Sequence, residues 1–190
     1  MERTGSLTVI CGPMFAGKTT KLLSYITNEE DCVVVKPSCD GRYSQTEVVT
    51  HDGKRVPCYV VEDTEENEIL RFTDTKKKVL IDEVQFMSGL ILYSIQFLLK
   101  NGVDVVVAGL DTNYRDEPFH IMGELMCIAD RIIKLTSICI KCGDSATKTY
   151  MKDATKPYAF RIGGSELYEP MCPTCYNKYS KKGVDFSEND

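Results

Sequence analysis

Three groups of residues have the types and spacing to do chemistry. Gly12-Pro13-Met14-Phe15-Ala16-Gly17-Lys18-Thr19 reads G-x-x-x-x-G-K-[ST] between an apolar run and a helical pattern. Its glycines let the backbone wrap closely, so that loop N–H groups and the start of the next helix can hold phosphate oxygens. Lys18 would reach the outer phosphates and the Thr19 hydroxyl would bind Mg²⁺. Downstream, Val79-Leu80-Ile81-Asp82-Glu83 is an apolar strand ending in two acids. Acids at a strand end are ordinarily just solvated. Behind a phosphate loop they acquire roles, Asp82 in the Mg²⁺ shell and Glu83 as acceptor of a proton from an attacking hydroxyl or water. The third group is Cys139-Ile140-Lys141-Cys142 with Cys172-Pro173-Thr174-Cys175. Two CxxC pairs that meet across a loop suit a zinc ribbon, and four thiolates close a tetrahedral shell with no position left for a catalytic water. One structural zinc is expected, with a redox dithiol pair as the competing reading.

These groups need elements to carry them. Apolar β-branched runs at Leu7–Cys11, Cys32–Lys36, Val79–Asp82 and Val103–Gly109 read as strands, and their near-continuous apolarity predicts burial on both faces. Helical spacing appears between them at Thr19–Thr27, Asp63–Phe72 and Ser88–Lys100, the last with Ser88 as N-cap and Gly102 as stop signal. A helix over Phe119–Arg131 then leads to a strand at Ile132–Leu135. Such alternation predicts an α/β fold, a P-loop NTPase-like core with a mainly parallel sheet over residues 1–137. Residues 138–182 hold the CxxC pairs, Gly163-Gly164, Pro157, Pro170 and Pro173, show little helical periodicity, and read as a small β-rich zinc-ribbon domain. Residues 183–190 read as a frayed acidic tail.

Composition narrows the classes further. Among 190 residues, 43% are hydrophobic and 27% charged, which predicts a soluble globular protein; no apolar run approaches the roughly 18 residues of a membrane span. The N-terminus shows no signal-peptide pattern, so a cytoplasmic location and no membrane partner are expected. A net charge of −5 argues against broad nucleic-acid binding, because a duplex binder needs a basic face to displace counterions. Outside the CxxC pairs, Cys11, Cys32, Cys39, Cys58 and Cys127 are scattered singly and read as small buried side chains. His51 and His120 read as polar surface residues, although the loop around His51 could approach a nucleotide. Lys76–Lys78 reads as a solvated loop.

Further blocks stand in register with the phosphate loop: Asp40-Gly41-Arg42-Tyr43-Ser44, Asp82-Glu83-Val84-Gln85-Phe86, Gly109-Leu110-Asp111-Thr112-Asn113-Tyr114-Arg115, Pro118-Phe119, and Gly163-Gly164 followed by Tyr168 and the second CxxC. In this order, from Leu7 to about Tyr176, the chain resembles the cytosolic-type thymidine kinase family, in which a P-loop kinase core is joined to a zinc-held lasso. The resemblance implies transfer of the ATP γ-phosphate to the thymidine 5′-hydroxyl. Glu83 would activate that hydroxyl, Arg42 would stabilise charge on the moving phosphoryl group, and Asp40 would join Thr19 and Asp82 near Mg²⁺. Gly41 and Gln85 fall with the ATP-binding residues. Met14, Phe86 and Phe119 would pack around the thymine, Thr149 would lie near its 5-methyl group, and Tyr168 with Ala159, Phe160, Arg161, Ile162 and Gly163 would close over the nucleoside. The family also implies a homotetramer and feedback inhibition by dTTP.

Three other functions compete. A P-loop ATPase acting on nucleic acid through its ribbon would need a basic, aromatic face there. Lys141, Lys148, Lys152, Lys156 and Arg161 supply charge, but Asp144, Asp153, Glu166 and Glu169 offset it. A GTP switch would carry an Asn-Lys-x-Asp segment, which is absent from the sequence. Specificity for another deoxynucleoside is the third.

Overall fold

The computed structural model describes residues 4–39, 46–49, 53, 55–62, 66–72, 74–152 and 163–180. The core opens with β1 (Leu7–Cys11), α1 (Lys18–Leu23), β2 (Cys32–Pro37), the short strands β3 (Glu47–Val49), β4 (Arg55–Pro57) and β5 (Tyr59–Val61), and a 3₁₀ segment at Glu66–Phe72. It continues through β6 (Lys78–Ile81), a 3₁₀ turn at Val84–Phe86, α2 (Leu90–Lys100), β7 (Asp104–Gly109), α3 (His120–Ile128) and β8 (Arg131–Lys134). Six strands make one sheet in the order β5-β2-β6-β7-β1-β8, and every pairing is parallel.

Strand periodicity divides the core between the two faces of this sheet. Leu7, Val9, Val33, Val35, Val79, Ile81, Val105 and Val107 share one buried cluster with Ile91, Ile95 and Leu98 of α2 and Ile121, Met122 and Leu125 of α3. The intervening Ile10, Val34, Leu80, Val106 and Ala108 cluster with Leu22 and Leu23 of α1. Helix α2 buries Ile91, Ile95 and Leu98 at i, i+4 and i+7, the period of a one-sided helix. It ends where expected: Gly102 N–H returns to Leu99 O and Val103 N–H to Leu98 O, closing the last carbonyls.

Several boundaries differ from the sequence expectation. Glu66–Phe72 is 3₁₀ rather than α-helical, and its buried Ile69 and Phe72 lie three residues apart, the spacing that a threefold helix puts on one face. Asp63, the expected start of that helix, lies outside the described residues. Helix α2 starts at Leu90 with Gly89 at the N-cap position in place of the expected Ser88, whose Oγ accepts from Leu90 N–H at 3.2 Å. Helix α3 stops at Ile128, because Asp130 donates its N–H to Leu7 O and accepts from Leu7 N–H through Oδ2, which pins this segment to β1 and starts β8 at Arg131. The β3–β4 hairpin and β5 were not anticipated. Lys78 belongs to β6, and Lys76, Lys77 and Lys78 bond to Glu30 O, the Asp31 carboxylate and Tyr25 O, so this basic run is tied down. Cys11 and Cys32 are buried as expected, but Cys39 and Cys58 are half-buried and Cys127 is exposed on α3. His120 is exposed; His51 and the tail 183–190 lie outside the described residues.

Beyond β8 the chain forms β9 (Ser137–Ile138), β10 (Ser145–Ala146), β11 (Lys148–Met151), β12 (Tyr168–Met171) and α4 (Pro173–Ser180). The antiparallel pairs β9–β10 and β11–β12 give the expected β-rich unit. Helix α4 is an addition to it. Its signals are local: Pro173 occupies the first helical position, and Cys172 Sγ accepts from Cys175 N–H at 3.4 Å. Among the described residues no helix is long and apolar enough to cross a membrane.

Candidate functional site

The phosphate loop leaves β1 at the carboxyl edge of the sheet. Gly12 has φ +143°, and a Cβ there would lie 2.4 Å from Leu135 O, so close packing against the end of β8 demands glycine. Gly17, at φ +77°, turns the chain into α1. Between them Phe15 holds φ +63°, a left-handed conformation unusual for a side-chain-bearing residue. Its carbonyl accepts from Ser137 Oγ at 3.0 Å, while the N–H of Met14 donates to Thr149 Oγ1 at 3.1 Å. Lys18 is buried, with Nζ donating to Pro13 O at 2.8 Å. Thr19 Oγ1 donates to Asp82 Oδ2 at 2.9 Å, which joins the loop to the acidic end of β6.

Asp82 is buried, and its second oxygen accepts from Glu83 N–H at 3.1 Å. Glu83 stands in a left-handed conformation, φ 52°, between β6 and the following 3₁₀ turn. Gln85, which the family resemblance groups with ATP, uses both ends of its buried amide within the chain. Oε1 accepts from Leu110 N–H at 3.0 Å and Nε2 donates to Glu83 Oε2 at 2.5 Å. Because the Leu110 N–H can only donate, it fixes which end of the amide faces Glu83.

Phe86 and Phe119 meet edge to face, with centroids 6.2 Å apart. Thr149 and Tyr168 are buried on the β11–β12 hairpin, where Thr149 lies opposite Pro170 and Tyr168 opposite Met151. Gly163 precedes the turn in which Gly164 O accepts from Tyr168 N–H at 3.0 Å. Asp40, Gly41, Arg42, Ala159, Phe160, Arg161 and Ile162 lie outside the described residues.

The sequence alone does not show an ion pair between a buried carboxylate and an exposed lysine. Asp111 is buried at the end of β7, where its carboxylate takes Lys134 Nζ at 2.9 Å and its carbonyl accepts from Phe119 N–H at 3.0 Å. The hydrogen bond to Asp111 raises the Lys134 ammonium above its ordinary pKa. Burial, aided by the Asp111 charge, pushes the neighbouring Cys11 thiol up, so this cysteine is an inert packing residue. Asp111 lies within the Gly109-to-Arg115 block, but nothing local marks its partner on another strand.

The four expected zinc ligands come together. The Sγ atoms of Cys139, Cys142, Cys172 and Cys175 all lie within 4.8 Å of one another, with Cys142 and Cys172 at 3.5 Å. A tetrahedral ion with Zn–S bonds of about 2.3 Å requires sulfurs roughly 3.8 Å apart, so the donors fit zinc in number, chemistry and spacing. Burial raises the Cys139 thiol, but N–H groups of Cys172, Lys141 and Cys142 and the Cys142 thiol outweigh it and bring it down to about 6, whereas at Cys142 the Asp144 N–H is outweighed by contact with the Cys172 thiol, which pushes it up, and burial pushes Cys175 up. Around the ligands Lys141 and Lys152 share Glu169, at 3.0 and 3.5 Å, and hold its carboxyl below the usual range despite burial. Two contacts tie the unit to the loop after β7: Lys148 Nζ to the Asp116 carboxylate and Tyr176 Oη to Tyr114 O, both at 2.6 Å.

A parallel α/β sheet with a phosphate loop at its carboxyl edge and a four-cysteine unit beside it defines a P-loop protein with a zinc-ribbon appendage. The thymidine kinase family model matches residues 5–176, and the chain belongs to that family, whose class is nucleoside kinase. Among solved structures, a Pif1 helicase from Candida albicans is 15% identical with TM-score 0.39, covering 74% of this chain and 38% of that one. Pif1 helicases in a study of DNA unwinding at forked dsDNA are 19% identical, TM-score 0.36, covering 72% and 40%. The UvsW helicase of bacteriophage T4 is 15% identical, TM-score 0.27, covering 68% and 44%. The chain thus spans less than half the length of these helicase chains.

Proposed function

We propose that this protein transfers the γ-phosphoryl group of ATP to the 5′-hydroxyl of thymidine, giving dTMP and ADP. The observation that carries the reading is the hydrogen bond from Thr19 to Asp82, which sets the phosphate loop against a strand end whose next residue is a carboxylate able to take a proton. Residues 1–137 would be the kinase core and 138–182 the zinc-held lasso.

Loop N–H groups and the Lys18 ammonium bind the phosphates, Lys18 exchanging its Pro13 carbonyl for phosphate oxygen. Thr19, Asp82 and Asp40 would hold Mg²⁺, which neutralises charge building on the β- and γ-phosphates. Glu83 takes the proton of the 5′-hydroxyl as that oxygen bonds to the γ-phosphorus and the bond to the β-phosphate oxygen breaks. Gln85 holds the Glu83 carboxylate in place, and Arg42 stabilises the three equatorial oxygens. Phe86, Phe119, Met14 and Thr149 border the base, and Tyr168 with residues 159–163 covers the nucleoside. Cys139, Cys142, Cys172 and Cys175 would hold a zinc that supplies cross-linking and no catalysis. A cytoplasmic homotetramer inhibited by dTTP completes the reading by family resemblance.

The nucleic-acid alternative loses support from pairing on the ribbon: Lys141 and Lys152 share Glu169 and Lys148 is committed to Asp116, leaving less free charge for phosphates. Purified protein should be incubated with Mg-ATP and each of the common nucleosides and the products identified by mass. Thymidine should give dTMP with stoichiometric ADP. Equal or greater turnover of another nucleoside, or ATP hydrolysis stimulated by DNA alone, would displace the proposal.

A further inference from the structure

We infer that Ser137 and Thr149 are positioning residues of the phosphate loop, through which the four-cysteine unit sets nucleotide affinity as well as covering the nucleoside. The inference rests on the reading of residues 12–19 as the ATP loop and adds an external brace to it. Both contacts fall on the main chain of consecutive loop residues. Ser137 Oγ donates to Phe15 O at 3.0 Å, and Thr149 Oγ1 accepts from Met14 N–H at 3.1 Å, over separations of 122 and 135 residues. They sit where the loop is most demanding: Phe15 has φ +63°, and such a conformation in a residue with a Cβ persists only when its surroundings over-determine it.

The two hydroxyls also bracket the first cysteine pair of the metal unit. Ser137 begins β9 and Thr149 lies in β11, so the segment between them contains the first CxxC knuckle. That knuckle is closed by Cys139 N–H to Asp144 O at 2.7 Å and Gly143 N–H to Cys139 O at 2.8 Å. Thr149 is itself 3% exposed and held by the β11–β12 ladder. A unit that a metal on its four cysteines would cross-link therefore presents a donor and an acceptor at fixed separation to a loop that must present its own N–H groups at fixed positions to phosphate. Preorganisation of this kind appears in ligand affinity, because a loop ordered beforehand loses less entropy on binding.

The brace separates from base recognition by chemistry. Thr149→Val keeps the branched shape and loses the acceptor; Thr149→Ser keeps the acceptor and loses a methyl. Calorimetric binding of MgADP and, separately, of thymidine should be measured for the wild type, both Thr149 variants and Ser137→Ala, with melting temperatures as folding controls. Thr149→Val and Ser137→Ala should each weaken MgADP by about 5-fold, the worth of one hydrogen bond, while Thr149→Ser stays within about twofold of wild type. Ser137→Ala stands as an independent arm if the valine variant folds poorly. Unchanged MgADP affinity in folded Thr149→Val and Ser137→Ala overturns the brace, as does equal weakening by valine and serine at position 149, since that makes shape the cause. A wild-type protein that binds no MgADP overturns instead the assignment of the loop on which the inference rests.

Discussion

Along β1 and β6 the side chains are buried among others of their kind: Leu7, Val9, Ile10, Val79, Leu80 and Ile81 are fully covered, and helices cover both faces of their sheet. Among its described residues the four-cysteine unit gathers Cys139, Ala146, Met171, Cys172 and Tyr176 into a buried cluster, two of them candidate metal ligands. Both regions position candidate site residues, but by different means. In the sheet, apolar burial holds the strands, and the polar site sits at their ends as a by-product of register. In the ribbon the buried cluster of described residues is small, and a metal held by the four cysteines would add a cross-link to the polar tethers that join it to the core.

Zinc removal should break this comparison most sharply. Structural zinc binding is worth roughly 10 to 16 kcal/mol in small units, so Cys139→Ser combined with Cys172→Ser should release the metal and unfold β9 to α4 while the parallel sheet persists. Elemental analysis with amide hydrogen exchange reads both regions at once. Stoichiometric zinc in the double variant, or ribbon amides still protected without metal, would mean that the ribbon has a self-sufficient core.

Glu83→Gln comes next, and it should act on chemistry alone. Losing general-base assistance costs about 10²- to 10⁴-fold, or roughly 3 to 5 kcal/mol of barrier, and the late proton transfer of a loose transition state favours the lower end. Single-turnover rates and thymidine affinity, measured across Mg²⁺ concentrations, should show a slower chemical step with near-normal binding. An unchanged step, or recovery in excess Mg²⁺, would move the base role to another group.

In the sheet, Leu80→Ala should cost about 2 to 5 kcal/mol of global stability by opening a cavity beneath α1, yet leave one zinc per chain. Denaturant unfolding with metal analysis checks this; loss of zinc at the same denaturant concentration as the sheet would show that the two regions unfold as one unit. The smallest effect belongs to a tether. Tyr176→Phe removes the hydrogen bond to Tyr114 O and should cost about 1 kcal/mol, read as faster exchange in the 110–118 loop with little change in the sheet. Equal acceleration everywhere would make Tyr176 part of a common core.

Legibility in the sequence follows the same division. Strands β1, β2, β6 and β7 stand within a residue or so of their expected bounds, because strands buried on both faces leave an uninterrupted apolar run that little else produces. The α4 helix escaped notice because it buries only Tyr176 and so carries no apolar stripe; its start depends on Pro173 and on a cysteine sulfur serving as cap. At Glu66–Phe72 the apolar pattern was visible but its period was misread, three residues per turn in place of 3.6.

The phosphate-loop pattern, the acids that end β6 and the two CxxC pairs were determined by residue type and local spacing, since each needs only a handful of neighbouring positions to define its chemistry. Only the tertiary structure decided that Thr19 reaches Asp82, that Lys134 neutralises Asp111, that Gln85 is pinned by Leu110 to face Glu83, and that Ser137 and Thr149 hold the loop at Phe15 and Met14. These are contacts between side chains and groups brought together by strand order. The parallel register of β1, β6, β7 and β8 and the placement of the ribbon beside them are set by burial summed over the whole sheet, which no short stretch of sequence contains.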